Sequence, residues 1–396
     1  MISNKGDNYK WVVLAVSFML MLTFAISLQS LPPIFEKISQ DISFSNSEAG
    51  ILMGAYAIPG IFLPFFIAFL ASKYNKKSII MAALLILIGG LITFSRSGSF
   101  STLLVTRLIA GTGATVLVVL APLLITMFFG PKNIGVAMGV FNAAVPFGTV
   151  VAANLFGLLG ETMHWRSIIL SIAGFVALVF VVVILALSFP KKEAIPEEEM
   201  SSRESSKGLF TNVSLWLLAI IWMLGNAQLL SYVTFAPQYF QTTAMTPQRA
   251  SLFTSFIMFV SIFLSPVVGI IIDKTGWKKR LLLIGSIIMG LSFALISMGS
   301  FGLPLWAITL GVGFSTVPVF VFAMLPDVIK PHQMGMGLGV VTIASNIGIA
   351  FGPIIFGYIL DKTGENFSLG FLILGLLSLI ILLSLAGLKR KSVSRV

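Results

Sequence analysis

Residues 101–127 read STLLVTRLIAGTGATVLVVLAPLLITM and contain one charged side chain, that of Arg107. A helix needs about 20 consecutive apolar residues to cross a lipid bilayer. The run is too long for a core strand and lacks the alternation of apolar and polar residues that a half-buried strand shows. Because lipid offers no hydrogen-bonding partners, backbone that crosses it must satisfy its own polar groups within a helix. Residues 101–127 therefore predict a membrane-spanning helix.

The composition of the whole chain points the same way. Of its 396 residues 57% are hydrophobic and 10% are charged, with a mean hydropathy of +1.03. A soluble domain has about 25% charged residues, so a soluble fold is excluded. There are no cysteines and two histidines, which excludes a disulfide framework, thiolate catalysis and a Cys- or His-rich metal centre. We expect a lipid bilayer as partner, no cofactor, no metal and, despite a net charge of +11, no nucleic acid.

Apolar runs of this kind recur along the chain with short polar breaks. They predict twelve membrane spans, at about 11–33, 48–71, 79–97, 101–127, 135–159, 167–188, 213–236, 250–272, 281–299, 304–326, 335–359 and 368–388.

The distribution of basic residues predicts the orientation of these spans. With the N-terminus in the cytoplasm, cytoplasmic segments hold 19 of the 25 Lys and Arg residues, outer segments hold five, and Arg107 lies within a span. Cytoplasmic loops of membrane proteins carry the excess of Lys and Arg. We therefore expect a multi-pass plasma (inner) membrane protein with both termini in the cytoplasm.

The chain divides into two similar halves. A polar stretch at 189–212, with two prolines and several acids and serines, predicts a flexible cytoplasmic linker between bundles at 1–188 and 213–396. The halves match at an offset of 200 residues, at the pairs Gly111/Gly311, Gly113/Gly313, Pro131/Pro331, Gly135/Gly335, Gly139/Gly339, Gly148/Gly348 and Gly157/Gly357. Duplicated bundles suit alternating access to a solute held near the bilayer midplane.

Two helix starts carry their own signals. Ser45 and Glu48 have the spacing of a capping box that opens the second span. Thr246 and Pro247 predict the start of the eighth span, with proline at the first helical position.

The turn after the eighth span contains the motif Gly269-x3-Asp273-Lys274-x-Gly276-x-Lys278-Lys279. Glycine permits a tight turn, and an acid can cap the N-terminus of a neighbouring helix. The corresponding turn after the second span keeps the basic pair but has other residues at three motif positions, namely Ala68, Ser72 and Asn75.

These two turns resemble the repeated signature of the major facilitator superfamily of transporters. Over the whole chain, the resemblance implies an all-α integral membrane fold of 12 transmembrane helices in two six-helix bundles related by a pseudo-twofold repeat. It also implies that the complete motif forms a gate, whose acid caps a helix of the opposite bundle. The implied gate residues are Asp273, Lys274, Gly276 and Lys278.

Two further glycine motifs fit the resemblance. The fourth span reads Arg107-x3-Gly111-x-Gly113, similar to the second motif of the superfamily. The eleventh span has Gly348-x3-Gly352-Pro353, similar to a motif that antiporters of the superfamily carry in helix five. Small residues four apart also let helices pack closely, and we expect packing at the pairs Gly135/Gly139, Gly335/Gly339 and Gly348/Gly352.

The resemblance further implies that helices one, four, seven and ten line a central cavity. Polar residues of these spans, with one from the eleventh, are the candidate substrate-binding residues: Gln29, Arg107, Asn226, Gln228, Tyr232, Ser315 and Asn346. An intramembrane charge is costly, by roughly 2.5–3.5 kcal/mol or more, and is a functional hypothesis by default. The alternative for Arg107 is a structural role, with Gln29 and backbone carbonyls as its partners. Pairing between helices is the alternative for the amides.

The acids are equally informative. All 14 Asp and Glu residues fall in tails, loops or helix ends. A cavity with one arginine and no carboxylate suits an anion, a zwitterion or a neutral polar solute. We therefore expect a secondary active or facilitative transporter of a small organic solute, anionic or zwitterionic, working by uniport or exchange through alternating access, and we expect it to be a monomer.

Three alternatives remain at this stage. The 34 phenylalanines permit a multidrug or aromatic-compound exporter, since aromatic faces attract organic cations. A non-transporting membrane receptor or scaffold would leave the repeat and the gate motif unexplained. An intramembrane enzyme needs positioned nucleophiles, acids or metal ligands, and no span supplies them, so we expect no catalytic residues.

Overall fold

A computed structural model of the protein describes residues 8–129, 133–188, 209–299, 302–330 and 333–388. Within these ranges the regular structure is entirely helical. Most of the predicted linker at 189–212 lies outside the described residues, as do Pro131 and Pro331.

Residues 8–129 and 133–188, the described part of the first half, form ten helices and one short 3₁₀ turn, Pro32–Ile34. The helices are α1 (Tyr9–Leu28), α2 (Phe35–Asp41), α3 (Asn46–Ala55), α4 (Pro59–Phe62), α5 (Pro64–Lys73), α6 (Lys76–Ser95), α7 (Phe100–Phe128), α8 (Ile134–Asn142), α9 (Ala144–Thr162) and α10 (Trp165–Ala186).

The second half contains longer, less interrupted helices. They are α11 (Val213–Thr242), α12 (Pro247–Thr275), α13 (Lys278–Ser297), α14 (Leu303–Val328), α15 (Met334–Lys362) and α16 (Phe367–Gly387).

Eleven helical stretches of the described chain are long and apolar enough to cross a membrane. The predicted span at 48–71 is instead divided among three short helices, α3, α4 and α5. Proline lacks an N–H and its ring clashes with the carbonyl four residues earlier, so Pro59 and Pro64 account for the two interruptions. The run that we predicted as one helix is therefore three helices in series.

Two compact units make up the chain. Unit 1 comprises Met1–Phe44 and Ala55–Glu197, and unit 2 comprises Ser45–Gly54 and Glu198–Val396. The short segment Ser45–Gly54 thus belongs to unit 2, although it lies early in the sequence. The boundary between the two units lies between Gly54 and Ala55, the last residue of α3.

Helix packing repeats from one unit to the other. In unit 1, α1 packs against α7 and α9, and α6 packs against α7 and α10. In unit 2, α11 packs against α14 and α15, and α13 packs against α14 and α16. These are the same pairings once the helices are matched by the 200-residue offset, so each half of the sequence builds the same core.

Both predicted helix starts are confirmed. The Ser45 backbone N–H donates to Glu48 Oε2 at 2.8 Å, and the Glu48 N–H donates to Ser45 Oγ at 3.2 Å, which completes the capping box of α3. At α12, Pro247 occupies the first helical position, and Thr246 Oγ1 accepts the N–H of Arg249 at 3.4 Å.

Candidate functional site

The predicted intramembrane charge lies in the core of unit 1. Arg107, on α7, is 1% exposed. One guanidinium nitrogen donates to the carbonyl of Ser27 at 2.8 Å, and the other donates to that of Leu28 at 2.7 Å. The last carbonyls of a helix have no intrahelical partner and carry the negative end of the helix dipole. Arg107 therefore neutralises the C-terminal end of α1, which is the structural alternative considered above.

The guanidinium also contacts an aromatic ring. It lies over the ring of Tyr56 at 4.4 Å from the centroid, and Tyr56 is 1% exposed in the turn after α3. A desolvated guanidinium over an aromatic face is attracted by the ring quadrupole. Arg107 thus joins the end of α1 to the interruption of the second span. Sequence reasoning missed Tyr56, because nothing in the local pattern marks a contact across three helices.

Gln29 lies one residue beyond α1, beside these carbonyls. It is 4% exposed, and its side-chain oxygen accepts no hydrogen bond from the residues that the structure describes. A buried acceptor without a donor is uncommon in proteins. Among the candidates of unit 1, Gln29 is therefore the one with spare capacity for a donor on a solute or on water.

Two candidates of unit 2 hold helices together. The Gln228 amide nitrogen donates to the carbonyl of Leu374 at 2.7 Å and to Ser378 Oγ at 2.8 Å, both on α16. The ring of Tyr232 lies between those of Phe293 and Phe371, with centroids 6.2 and 6.3 Å away.

Neither Gln228 nor Tyr232 is exposed. Both side chains lie in contacts that join α11 to its neighbours. This arrangement favours the helix-pairing alternative for both residues.

Asn226, Asn346 and Ser315 each bond their own helix. Their donors reach the carbonyls of Trp222 at 2.8 Å, Thr342 at 3.0 Å and Val312 at 2.7 Å. A side chain that returns to its own helix leaves its remaining acceptor capacity free for another group. Among the candidates of unit 2, these three have side chains that make no hydrogen bond or ring contact with another helix of the described chain.

The predicted gate motif follows α12. Gly276 ends the helix in the left-handed conformation, with φ of 69°, so this position needs glycine, as the motif predicts. Asp273 and Lys274 are exposed on the last turn, and the Asp273 carboxylate makes no hydrogen bond or ion pair with any described residue.

Lys278 begins the next helix and is bound within unit 2. Its ammonium group donates to the carbonyl of Ala323 and pairs with Asp327, each at 2.8 Å. Both partners lie on α14, so Lys278 joins α13 to the end of α14. The motif therefore combines a glycine that the left-handed turn requires, a lysine that joins two helices, and two exposed charges.

The glycines divide into two groups. A Cβ on Gly348 would overlap the carbonyl of Met223, and one on Gly352 would lie 2.7 Å from the Ala227 backbone. The predicted packing role is confirmed for this pair, which brings α15 close to α11. It is wrong for Gly135, Gly139 and Gly335, which meet nothing within 4 Å.

The chain matches the family model described as Major Facilitator Superfamily over residues 13–321 and 245–395. It is similar to the lysosomal dipeptide transporter MFSD1 of Homo sapiens, 25% identical over 379 residues, which cover 87% of this chain and 80% of that protein. It is also similar to the probable nitrate transporter NarT of Staphylococcus carnosus, 24% identical over 371 residues, with 91% of each protein covered.

Solved structures share the fold. The nucleoside transporter NupG, as its D323A mutant, aligns with a TM-score of 0.79 and 16% identity over 97% of this chain and all of that one. A bacterial homologue of the human lysosomal transporter Spinster, in an inward-facing and unoccupied conformation, aligns with a TM-score of 0.78 and 16% identity over 97% and 96%. This chain belongs to the Major Facilitator Superfamily and is a multi-pass membrane transporter.

Proposed function

We propose that the protein transports a small organic solute that is anionic or zwitterionic, by uniport or exchange through alternating access. The observation that carries the proposal is the distribution of charge within the helices. Every carboxylate in a described helix lies within two residues of a helix end, whereas Arg107 lies seven residues into α7.

This distribution favours a solute that is anionic or zwitterionic. An ammonium group transferred from water to a low-dielectric interior needs a counter-charge there, and the described helices offer no interior carboxylate. A carboxylate or nitrate needs donors or positive charge. A dipeptide is an organic zwitterion at neutral pH, so the transport named for MFSD1 falls within the proposed solute class, and nitrate, named for NarT, shares its anionic charge.

The same distribution favours uniport or exchange over proton coupling. A mid-span Asp or Glu is the usual proton carrier in membrane transporters, and none lies in the interior of a described helix. Solute gradients alone would then drive the cycle.

The test is counterflow into proteoliposomes without a proton gradient. Vesicles are loaded with alanylalanine, succinate, nitrate or tetraphenylphosphonium, and uptake of the same labelled solute is followed. Counterflow of alanylalanine or succinate that persists with a protonophore supports the proposal, whereas counterflow of nitrate alone supports the anionic charge and contradicts the organic solute. Counterflow of the organic cation alone, or uptake abolished by the protonophore, refutes it.

A stripe of phenylalanines supports the exporter alternative. Phe62, Phe65, Phe66 and Phe69 recur at helical spacing on α4 and α5 and are 44–72% exposed. Aromatic faces can bind organic cations without a carboxylate. The tetraphenylphosphonium arm of the counterflow experiment tests this candidate directly.

We also propose that the protein resides in the plasma membrane as a monomer, with both termini in the cytoplasm. The asymmetry of basic residues supports this orientation. Tags at each end should resist protease in sealed cells and be cleaved after lysis. Light scattering of the purified protein, corrected for detergent, should give the 42.6 kDa of one chain.

A further inference from the structure

The segment Ser45–Gly54, which contains nearly all of α3, is here called the strap. A helix begins with N–H groups that have no intrahelical acceptor. In α3 the capping box supplies an acceptor for the N–H of Glu48, and the N–H of Ala49 bonds the Ser45 carbonyl. The N–H groups of Asn46 and Ser47 remain, and the strap has no acceptor of its own for them.

A residue 315 positions away supplies both acceptors. The two carboxylate oxygens of Asp361 accept the N–H of Asn46 at 3.0 Å and the N–H of Ser47 at 2.8 Å. Ser47 Oγ donates to the same carboxylate. An anion at a helix N-terminus is also favoured by the helix dipole. Asp361 therefore completes the cap of α3 from the end of α15.

The turn after α15 adds a second acid. Glu365 has a φ of 61°, in the left-handed region that residues other than glycine rarely adopt. This conformation follows Gly364, which is also left-handed. Glu365 Oε1 accepts the side-chain N–H of Asn46 at 3.2 Å. The strained turn thus directs a second carboxylate towards the start of the strap.

Below the cap, the strap lies against α15 backbone to backbone. A Cβ on Gly50 would overlap the carbonyl of Pro353, and one on Gly54 would overlap that of Ala350. On α15, a Cβ on Gly357 would overlap the carbonyl of Asn46. Three glycines therefore let the backbones of the two helices approach each other closely.

The residues that follow the strap in the sequence pack against α7. Tyr56 lies under the guanidinium of Arg107, and a Cβ on Gly111 would overlap the Tyr56 carbonyl. Both partners lie on α7 of unit 1. The turn Tyr56–Ile58 breaks the helix at this point, so the strap can change its direction without bending a continuous helix.

We propose that the strap is a latch, which Asp361 closes against α15 and which the transport cycle must release. This proposal rests on the alternating access proposed above. The polar contacts at the cap are exposed to solvent, where a hydrogen bond exchanges readily with water, and the glycine contact below them offers little resistance to sliding. The latch can therefore open without breaking the core of either unit.

The chain has no natural cysteine, so a single engineered one reports opening. Met53, in the strap, is 0% exposed. In the purified protein with Met53→Cys, we expect slow maleimide labelling. Adding Asp361→Asn should raise the labelling rate about fivefold, the factor that corresponds to a helix cap worth about 1 kcal/mol. The measurement needs no solute, so its failure is separate from failure of the proposed function.

Glu161→Gln is the matched control. Glu161 is the residue equivalent to Asp361 by the 200-residue offset, and it is exposed near the end of α9. The variant Glu161→Gln should leave the labelling rate of Met53→Cys unchanged. Hydrogen exchange at the amides of Asn46 and Ser47 distinguishes a latch from a static cap. For a static cap, Asp361→Asn increases the exchange rate of these two amides but leaves the labelling rate of Met53→Cys low. That combination overturns the proposal.

A second pair of variants tests the contact without altering charge. Gly50→Ala forces the strap away from Pro353 and should also raise labelling of Met53→Cys. Gly89→Ala is its control, because a Cβ there meets nothing within 4 Å. Equal labelling in the two alanine variants would count against a latch, even if the Asp361 variant failed to fold.

Discussion

At the scale of single residues, Arg107 shows how a buried charge is accommodated without a carboxylate. Two carbonyls at the end of α1 and the face of Tyr56 surround its guanidinium. A hydrogen bond to a charged group contributes about 1.5–3 kcal/mol, which is comparable with the cost of placing the charge in a membrane. The geometry explains why an arginine is stable here, whether or not it also contacts a solute.

We expect Arg107→Gln to lower the thermal stability of the protein without added solute, by about 1–3 kcal/mol, because buried carbonyls would lose their donors. Arg107→Lys should also lose stability, since a single ammonium group cannot reproduce the fork that meets two carbonyls. Thermal unfolding in detergent measures both, with Arg249→Gln at the exposed start of α12 as the control. Unfolding midpoints equal to that of the natural chain would contradict the structural role.

Gln228 gives a second prediction at this scale. Its amide joins α11 to α16 through Leu374 and Ser378, so Gln228→Ala should destabilise the protein by about 1–3 kcal/mol. Ser378→Ala removes one acceptor, and the double variant should lose less than the sum of the two single losses. The unfolding midpoints of the natural chain and the three variants form the cycle, and strict additivity would show that the contact contributes nothing.

The type of these residues could be predicted from the sequence, but their partners could not. An arginine within an apolar run is visible to inspection, and backbone carbonyls were among its expected partners. Gln228 and Tyr232 were chosen as cavity residues because helical periodicity does not show which face of a long helix meets its neighbours. Their contacts with α16 depend on residues about 140 positions away.

At the scale of helices, glycine position separates packing from open surface. Gly348 and Gly139 lie in similar small-residue motifs, but a Cβ would overlap a carbonyl at the first and meet nothing within 4 Å at the second. Sequence spacing predicted both as packing sites. A small-residue motif creates a narrow face on one helix. Close packing also requires a neighbouring helix against that face, and the motif does not show whether one is present.

We therefore expect Gly348→Ala to destabilise the contact of α15 with α11, by about 1–3 kcal/mol as for other overpacked sites. Gly139→Ala should be neutral or stabilising by up to about 1 kcal/mol, because alanine is the better helix former. Thermal unfolding of both variants, prepared in the same detergent, checks the pair. A loss of stability at Gly139 equal to that at Gly348 would contradict this reading of the contacts.

The interruption of the second span illustrates another limit of sequence reasoning. Its two prolines were visible, yet the apolar run was long enough for one spanning helix. Proline within a membrane helix is tolerated when neighbours satisfy the freed carbonyls, so its presence alone does not predict a break. The sequence did not predict that Tyr56, in the turn between α3 and α4, contacts Arg107 and Gly111 of α7.

At the scale of the molecule, the internal repeat was the strongest sequence signal, and the packing bears it out. Gly111 faces the second span and Gly311 faces α12, its counterpart. Gly113 and Gly313 likewise face α6 and α13. Glycines at one offset therefore mark equivalent helix contacts in both units, as the 200-residue repeat in the sequence predicts.

Two acids, Asp361 and Asp273, lie at opposite membrane faces by the predicted topology. Asp361 caps the strap, whereas the carboxylate of Asp273, the acid of the complete gate motif, makes no hydrogen bond or ion pair with any described residue. If each acid stabilises a different state of one alternating cycle, removing them should shift the equilibrium in opposite directions. Their effects on one reporter then have opposite signs.

We expect Asp273→Asn to lower the maleimide labelling rate of Met53→Cys, because it removes a contact made only when the strap is open. Asp361→Asn raises that rate. Since the two sites share no partner, their free energies should add, and the double variant should label at about the rate of the natural background. Labelling of the double variant as fast as with Asp361→Asn alone would show that Asp273 does not act in the same equilibrium. The carboxylate-retaining change Asp273→Glu should leave the rate closer to that of the natural residue than Asp273→Asn does, because the capping charge remains at the end of α12.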